Sequence, residues 1–146
     1  MNQRLKNVHT PRLVAFTLAA LVTAAYSTAT LGDEIKVKLS GDQEVPPVTT
    51  KAAGSGTIVI CPDKSVSGGV TTTGVQGTMA HIHVRKPGTN GPVAIHLDQN
   101  GDYGWSVAPG TKLSDTQYQS YKAGDLYVNV HSTAHRDGEI RGQLKP

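Results

Sequence analysis

The chain has 146 residues, 37% hydrophobic and 17% charged, with 16 glycines, 8 prolines and one cysteine. That length fits one domain, with or without a processed segment. The single cysteine excludes an intrachain disulfide framework and any cysteine-rich zinc module. The formal charge of +3 would on its face recommend nucleic acid or anionic lipid as a partner.

The positive charge is confined to the start of the chain. Arg4, Lys6 and Arg12 precede an apolar run, Leu13 to Val22, and small residues follow through Ser27, Thr28 and Ala29. This is the order of a secretory signal peptide, with an apolar run too short to span a bilayer. Residues 1–29 are therefore read as a signal peptide cleaved after Ala29, with Ala25 the second choice. Residues 30–146 are read as the mature domain, placed in the periplasm or outside the cell. This remainder carries 11 basic and 11 acidic residues. Its basic residues form no stripe, so no nucleic acid is expected as a partner, and no membrane after signal removal.

Ile35 to Leu39 alternates apolar and charged residues, as a half-buried strand does. A turn from Gly41 to Thr50 contains Pro46 and Pro47. Strands are expected over Gly56–Cys61, Ser65–Thr73, Met79–Val84, Val93–Leu97, Tyr103–Val107, Asp125–Val130 and Glu139–Leu144. One helix, about 114–123, has Ser114 as its cap, Gln117 completing a capping box and Gly124 as its stop. Leu113 and Tyr118 occupy the two positions that staple its first turn. About eight short strands and one short helix predict an all-β fold, an antiparallel Greek-key β-sandwich.

The histidines carry the chemistry. His81 and His83 are two residues apart on one strand, so both imidazoles share a face and Ile82 turns to the other. His131 ends a later strand, and His135 follows four residues on, across a Ser-Thr-Ala turn. Two close pairs of imidazoles suggest one shared metal site, with His81, His83, His131 and His135 as ligands and His96 as a provisional fifth. Nitrogen ligands without thiolate suit Cu(II), with Zn(II) next. Met79 lies on the same face as His81 and is expected to fill core. No nucleophile elbow, phosphate loop or paired-carboxylate signature is present.

Three stretches carry a family resemblance. Leu39-Ser40-Gly41-Asp42-Gln43-Glu44-Val45-Pro46-Pro47 resembles the opening motif of the chordin-type (CHRD) domain. Ala80-His81-Ile82-His83 with Asn90-Gly91-Pro92-Val93 resembles its middle motif. Gly124 to His135, followed by Gly138-Glu139-Ile140-Arg141-Gly142-Gln143-Leu144, resembles its closing motif. The resemblance implies a β-sandwich related to that of copper/zinc superoxide dismutase and placement outside the cytoplasm, but no settled activity. His81, His83, His96 and His131 follow the order of that enzyme's copper ligands. The further histidines of its zinc subsite are missing, and its disulfide is impossible with Cys61 alone.

Glu44, Asp137, Glu139 and Arg141 are candidates for orienting the ligand imidazoles, a carboxylate holding a ring and Arg141 pairing with it. Cys61 is expected to be buried and inert, although an unpaired thiol in an oxidising compartment can also link two chains as a homodimer. The function expected first is a secreted copper-binding protein serving copper sequestration, transfer or tolerance. A copper-only superoxide dismutase-like oxidoreductase is the second reading, and a metal-free extracellular binding or structural module the third.

Overall fold

The computed structural model describes residues 31–146; the expected signal peptide lies outside the described residues. Eight antiparallel strands form in chain order: β1 (Asp33–Ser40), β2 (Ala53–Ile60), β3 (Val66–Thr73), β4 (Gly77–Val84), β5 (Val93–Asn100), β6 (Gly104–Val107), β7 (Leu126–Ser132) and β8 (Ile140–Leu144). One helix, α1 (Asp115–Lys122), lies between β6 and β7, and a single 3-10 turn, Gly41–Gln43, follows β1. The strands start and stop within a few residues of where alternation and turn residues place them.

The expected sandwich does not form. The sheet closes into a barrel in the order β1-β2-β3-β6-β5-β4-β7-β8. Closure falls between β1 and β8, where Ser40 pairs with Arg141. Every strand has two neighbours, so no edge remains for a second sheet to begin. One apolar face per strand is demanded equally by a sandwich and by a barrel, and the pattern therefore does not separate them. Glycines stand where neighbouring backbones come close. A Cβ on Gly56 of β2 would collide with the Gly69 carbonyl of β3, and one on Gly142 of β8 would collide with the Lys38 carbonyl of β1. Only glycine lets these backbones approach so closely.

The core fills the barrel. Ile35, Val37 and Leu39 of β1, Ile58 and Ile60 of β2, Ala80 and Ile82 of β4, and Leu126, Val128 and Val130 of β7 all point inward and are buried. Helix α1 is held as its sequence specifies. The Ser114 side chain accepts from the Gln117 amide, and the Gln117 side chain accepts from the Ser114 amide. Leu113 is in the core with Tyr118 packed against it. Gly124 ends the helix at φ +77°, where a side chain would be strained.

The barrel has a second buried layer on its outside. Residues of β4 and β7 that face away from the core, His81, His83, Tyr127, Asn129 and His131, are also buried. Every residue of β7 is buried, although its inward and outward side chains alternate. The register brings these outward residues together: His83 lies opposite Tyr127, and His81 lies between Asn129 on β7 and His96 on β5.

The inward layer makes a direct test of the closed core. Ile82 is fully buried, and Ile82→Ala is expected to lower unfolding free energy by about 3 kcal/mol through lost burial and the cavity left behind. Urea denaturation checks this. A loss below about 1 kcal/mol would be too small for a side chain at the centre of a packed barrel.

Candidate metal centre

The local sequence determines which way the histidines face. Ile82 points into the barrel, so its neighbours His81 and His83 must point out. Val128 and Val130 likewise send Tyr127, Asn129 and His131 outward on the adjacent strand. His81, His83 and His131 each offer one nitrogen within 4.8 Å of the others, and all three are buried. Nδ1 of His81 is 3.1 Å from Nε2 of His131.

Two of the rings are fixed by backbone carbonyls. Nδ1 of His83 donates to the Gly91 carbonyl at 2.8 Å, and Nδ1 of His131 donates to the Arg136 carbonyl at 2.7 Å. A carbonyl only accepts, so the proton of each neutral ring sits on Nδ1 and Nε2 is left bare. This is how a protein orients an imidazole toward a metal ion. The His81 and His83 rings also resist protonation. Burial, followed by the nearby His131, His83 and His96, pushes His81 down to about 4. His83 is lowered too, chiefly by burial. Neutral imidazoles are what a metal needs.

The remaining candidates fall in different places. His96 is exposed on β5, with its ring centroid 4.8 Å from that of His81 in an edge-to-face arrangement. It stands at the rim of the cluster. His135 is half-buried in the turn after β7 and lies outside the three-histidine group. Its amide donates to the Ser132 hydroxyl, and its carbonyl accepts from the Ser132 and Gly138 amides. Met79 does not fill core; it faces outward, opposite His131, and is 47% exposed. Cys61 is a half-buried free thiol just past β2.

The four orienting candidates also divide. Glu139 accepts from the Thr50 hydroxyl at 2.6 Å and so ties β8 to the long turn after β1. Asp137 is exposed. Arg141 is 1% exposed, and no carboxylate oxygen lies within 4 Å of it among the described residues. It stacks on Tyr127 at 3.4 Å from the ring centroid, and Tyr127 stacks on His83 with the planes 3° apart. The guanidinium donates to the carbonyls of Thr89 and Lys86 and to the side chains of Asn90 and Gln143. It therefore clamps the 85–92 loop, whose Gly91 carbonyl holds His83 and whose Gly91 amide donates to the Tyr127 hydroxyl.

Glu44 is buried, and desolvation pushes its carboxyl up to about 7 against the opposing pull of Arg141, the Val45 backbone and the Asn129 side chain. Its Oε1 has no hydrogen-bond partner among the described residues. Gly138, at φ +128°, lies against this corner. A Cβ there would sit 2.5 Å from Glu44 Oε1 and 2.8 Å from Asn129 Nδ2. Tyr127 and Asn129 are the site residues that motif reading passes over. Their signal is the two-residue spacing Tyr127-Asn129-His131, which puts all three on one face.

Two outcomes follow. Glu44 binds its proton more tightly in the folded protein than in the unfolded chain, so its contribution to stability is lost as pH rises from about 4.5 to about 7. Metal-free Glu44→Gln is therefore expected to gain on the wild type across that window, by on the order of 2 kcal/mol at its upper end. Urea titrations of both proteins at several pH values measure the difference, and a constant difference would contradict it. Arg141→Lys keeps the charge but loses the fork and the stack, and is expected to cost about 3 kcal/mol. Amide exchange should quicken across residues 85–92, and unchanged protection there would remove the clamp from Arg141.

A family model described as the CHRD domain matches residues 35–144. No curated protein and no solved structure gives a match, and the dismutase part of the resemblance gains no support. The matched stretch runs from β1 through β8 and contains every histidine of the cluster, so the chain belongs to the CHRD domain family.

Proposed function

We propose that this is an exported copper-binding domain that holds one ion through His81, His83 and His131 and serves copper sequestration, transfer or tolerance. The observation that carries the reading is the convergence of three buried imidazoles, two of them already turned toward one point by carbonyls on their far nitrogens. Two nitrogens bound to one such ion at about 2.0–2.1 Å lie roughly 3–4 Å apart. The three atoms, within 4.8 Å of one another, reach that spacing by a modest inward turn of the rings. Three nitrogens without thiolate favour Cu(II), with Zn(II) following in affinity. His135 stays outside the ligand set, and His96 flanks it.

Isothermal titration of metal-free protein with Cu(II) tests the assignment. His81→Ala and His83→Ala are each expected to weaken binding by more than the roughly 10- to 100-fold typical of an outer partner. His135→Ala should leave it unchanged. Affinity should fall as pH drops through the imidazole range, since a protonated ring cannot ligate. Copper at 100 times its Kd should raise stability by about 2.7 kcal/mol. Unaltered Cu(II) affinity in the His81→Ala/His83→Ala double variant would end this reading.

An oxidoreductase reading of the same site rests on its rim. His96 is exposed beside His81, so one side of the cluster borders solvent. Superoxide turnover by the copper-loaded protein, well above that of free copper, would move the assignment from binding to catalysis.

A further inference from the structure

The two anchored rings both direct Nε2 at the same neighbour. Oδ1 of Asn129 stands 3.0 Å from Nε2 of His83 and 3.1 Å from Nε2 of His131. With both Nδ1 protons committed to carbonyls, these nitrogens present lone pairs, and a carbonyl oxygen has no proton to give them. Nδ1 of His81 adds a fourth electron-rich atom, 3.1 Å from Nε2 of His131. At most one proton, on that Nδ1, is shared among the four when the rings are neutral. Acceptors left facing acceptors in a buried site are costly. A cation among them removes the conflict.

The other end of the amide explains why Asn129 does not simply reverse. Its Nδ2 borders the same space beside Gly138 as Glu44 Oε1, the buried oxygen that lacks a partner. A carboxylate accepts and an amide N–H donates, so Glu44 favours the orientation that leaves Oδ1 with the histidines. The reversed amide would satisfy both ring nitrogens but set oxygen against oxygen at Glu44. The carboxylate and the imidazoles thus make opposite demands on one side chain, and Asn129, 3% exposed, is nearly closed off from solvent.

We propose that Asn129 is an oxygen ligand of the metal centre, joining His81, His83 and His131 in a three-nitrogen, one-oxygen donor set, and that Glu44 positions it through the amide nitrogen. The inference rests on the copper-binding reading above. It also gives the site a preference. Nitrogen and oxygen ligands suit Cu(II), whereas Cu(I) favours softer donors, so Asn129 selects the divalent ion.

The test compares Cu(II) and Cu(I) affinities of the full chain, with the metal alone as probe, at about pH 8 where unperturbed imidazoles are neutral. Asn129→Ala is expected to weaken Cu(II) binding about 10- to 100-fold while Cu(I) affinity changes much less. Glu44→Gln should weaken Cu(II) binding in the wild-type background, because Gln donates as well as accepts and no longer dictates the amide's orientation. It should add nothing in the Asn129→Ala background, where the two effects share one route. In unsubstituted protein, the Asn129 side-chain carbonyl 13C resonance should move on adding one equivalent of Zn(II), which requires no variant to fold. Equal loss of Cu(I) and Cu(II) affinity would reduce Asn129 to packing and overturn the inference, as would an unmoved resonance in metal-loaded protein. Failure of the wild type to bind any metal would instead sink the histidine reading itself, and this inference with it.

Discussion

A guanidinium removed from water must find acceptors, because a buried charge without partners costs several kcal/mol. Arg141 on β8 is in that position, and its requirement organises the outer face of the barrel. Two backbone carbonyls and two side chains answer it, and both carbonyls belong to the 85–92 loop. The loop is thereby drawn over β4 and β7, where its Gly91 carbonyl fixes the tautomer of His83. The flat face of the same guanidinium lies on Tyr127, which lies on His83. One side chain thus sets both the angle of the His83 imidazole and the cover that dries it.

That cover gives the molecule two interiors of different chemistry. The core is mostly aliphatic, with Trp105 and Tyr121 its buried aromatics, and the Tyr121 hydroxyl donates to Asp33. On and beside the outer face of β4, β7 and β8, buried histidines, an asparagine, an arginine and two glutamates must find partners. Most do: His83 and His131 through carbonyls, Glu139 through Thr50 and Arg141 through the loop. The exceptions cluster. Glu44 Oε1 has no partner, and the bare nitrogens of two histidines face an oxygen. Unsatisfied groups in an otherwise satisfied layer mark where the protein has been built for something other than stability. Here their chemistry is what the proposed cation site would use.

The extent to which this was legible varies by residue. The capping box at Ser114 and the stop at Gly124 are local, with partners three or a few residues apart, and they form where the sequence places them. The pairing of His81 with His83 follows from a two-residue period and also holds. His135 does not join the cluster, because proximity in sequence across a turn does not fix where a ring points. Arg141 was expected to pair with a carboxylate, but all of its partners except Gln143 come from a loop some fifty residues earlier. Met79 was expected in the core; its strand phase, set by Ala80 and Ile82, turns it to the surface. Asn129 carries no signal of its own beyond lying two residues before a histidine.

The sequence by itself determined the strands, their inward faces and the helix caps, because these depend on the period of the backbone and on contacts a few residues long. It also determined that two imidazoles share one face. Only the tertiary structure decided that the sheet closes, since one apolar face per strand satisfies a sandwich and a barrel alike, and closure is a pairing of β1 with β8 at opposite ends of the domain. The sequence offered His131 and His135 alike as partners of His81 and His83, and only the tertiary structure chose between them and added Asn129. That choice is made by the register between β4 and β7, and a register is a relation between distant segments that neither segment encodes alone.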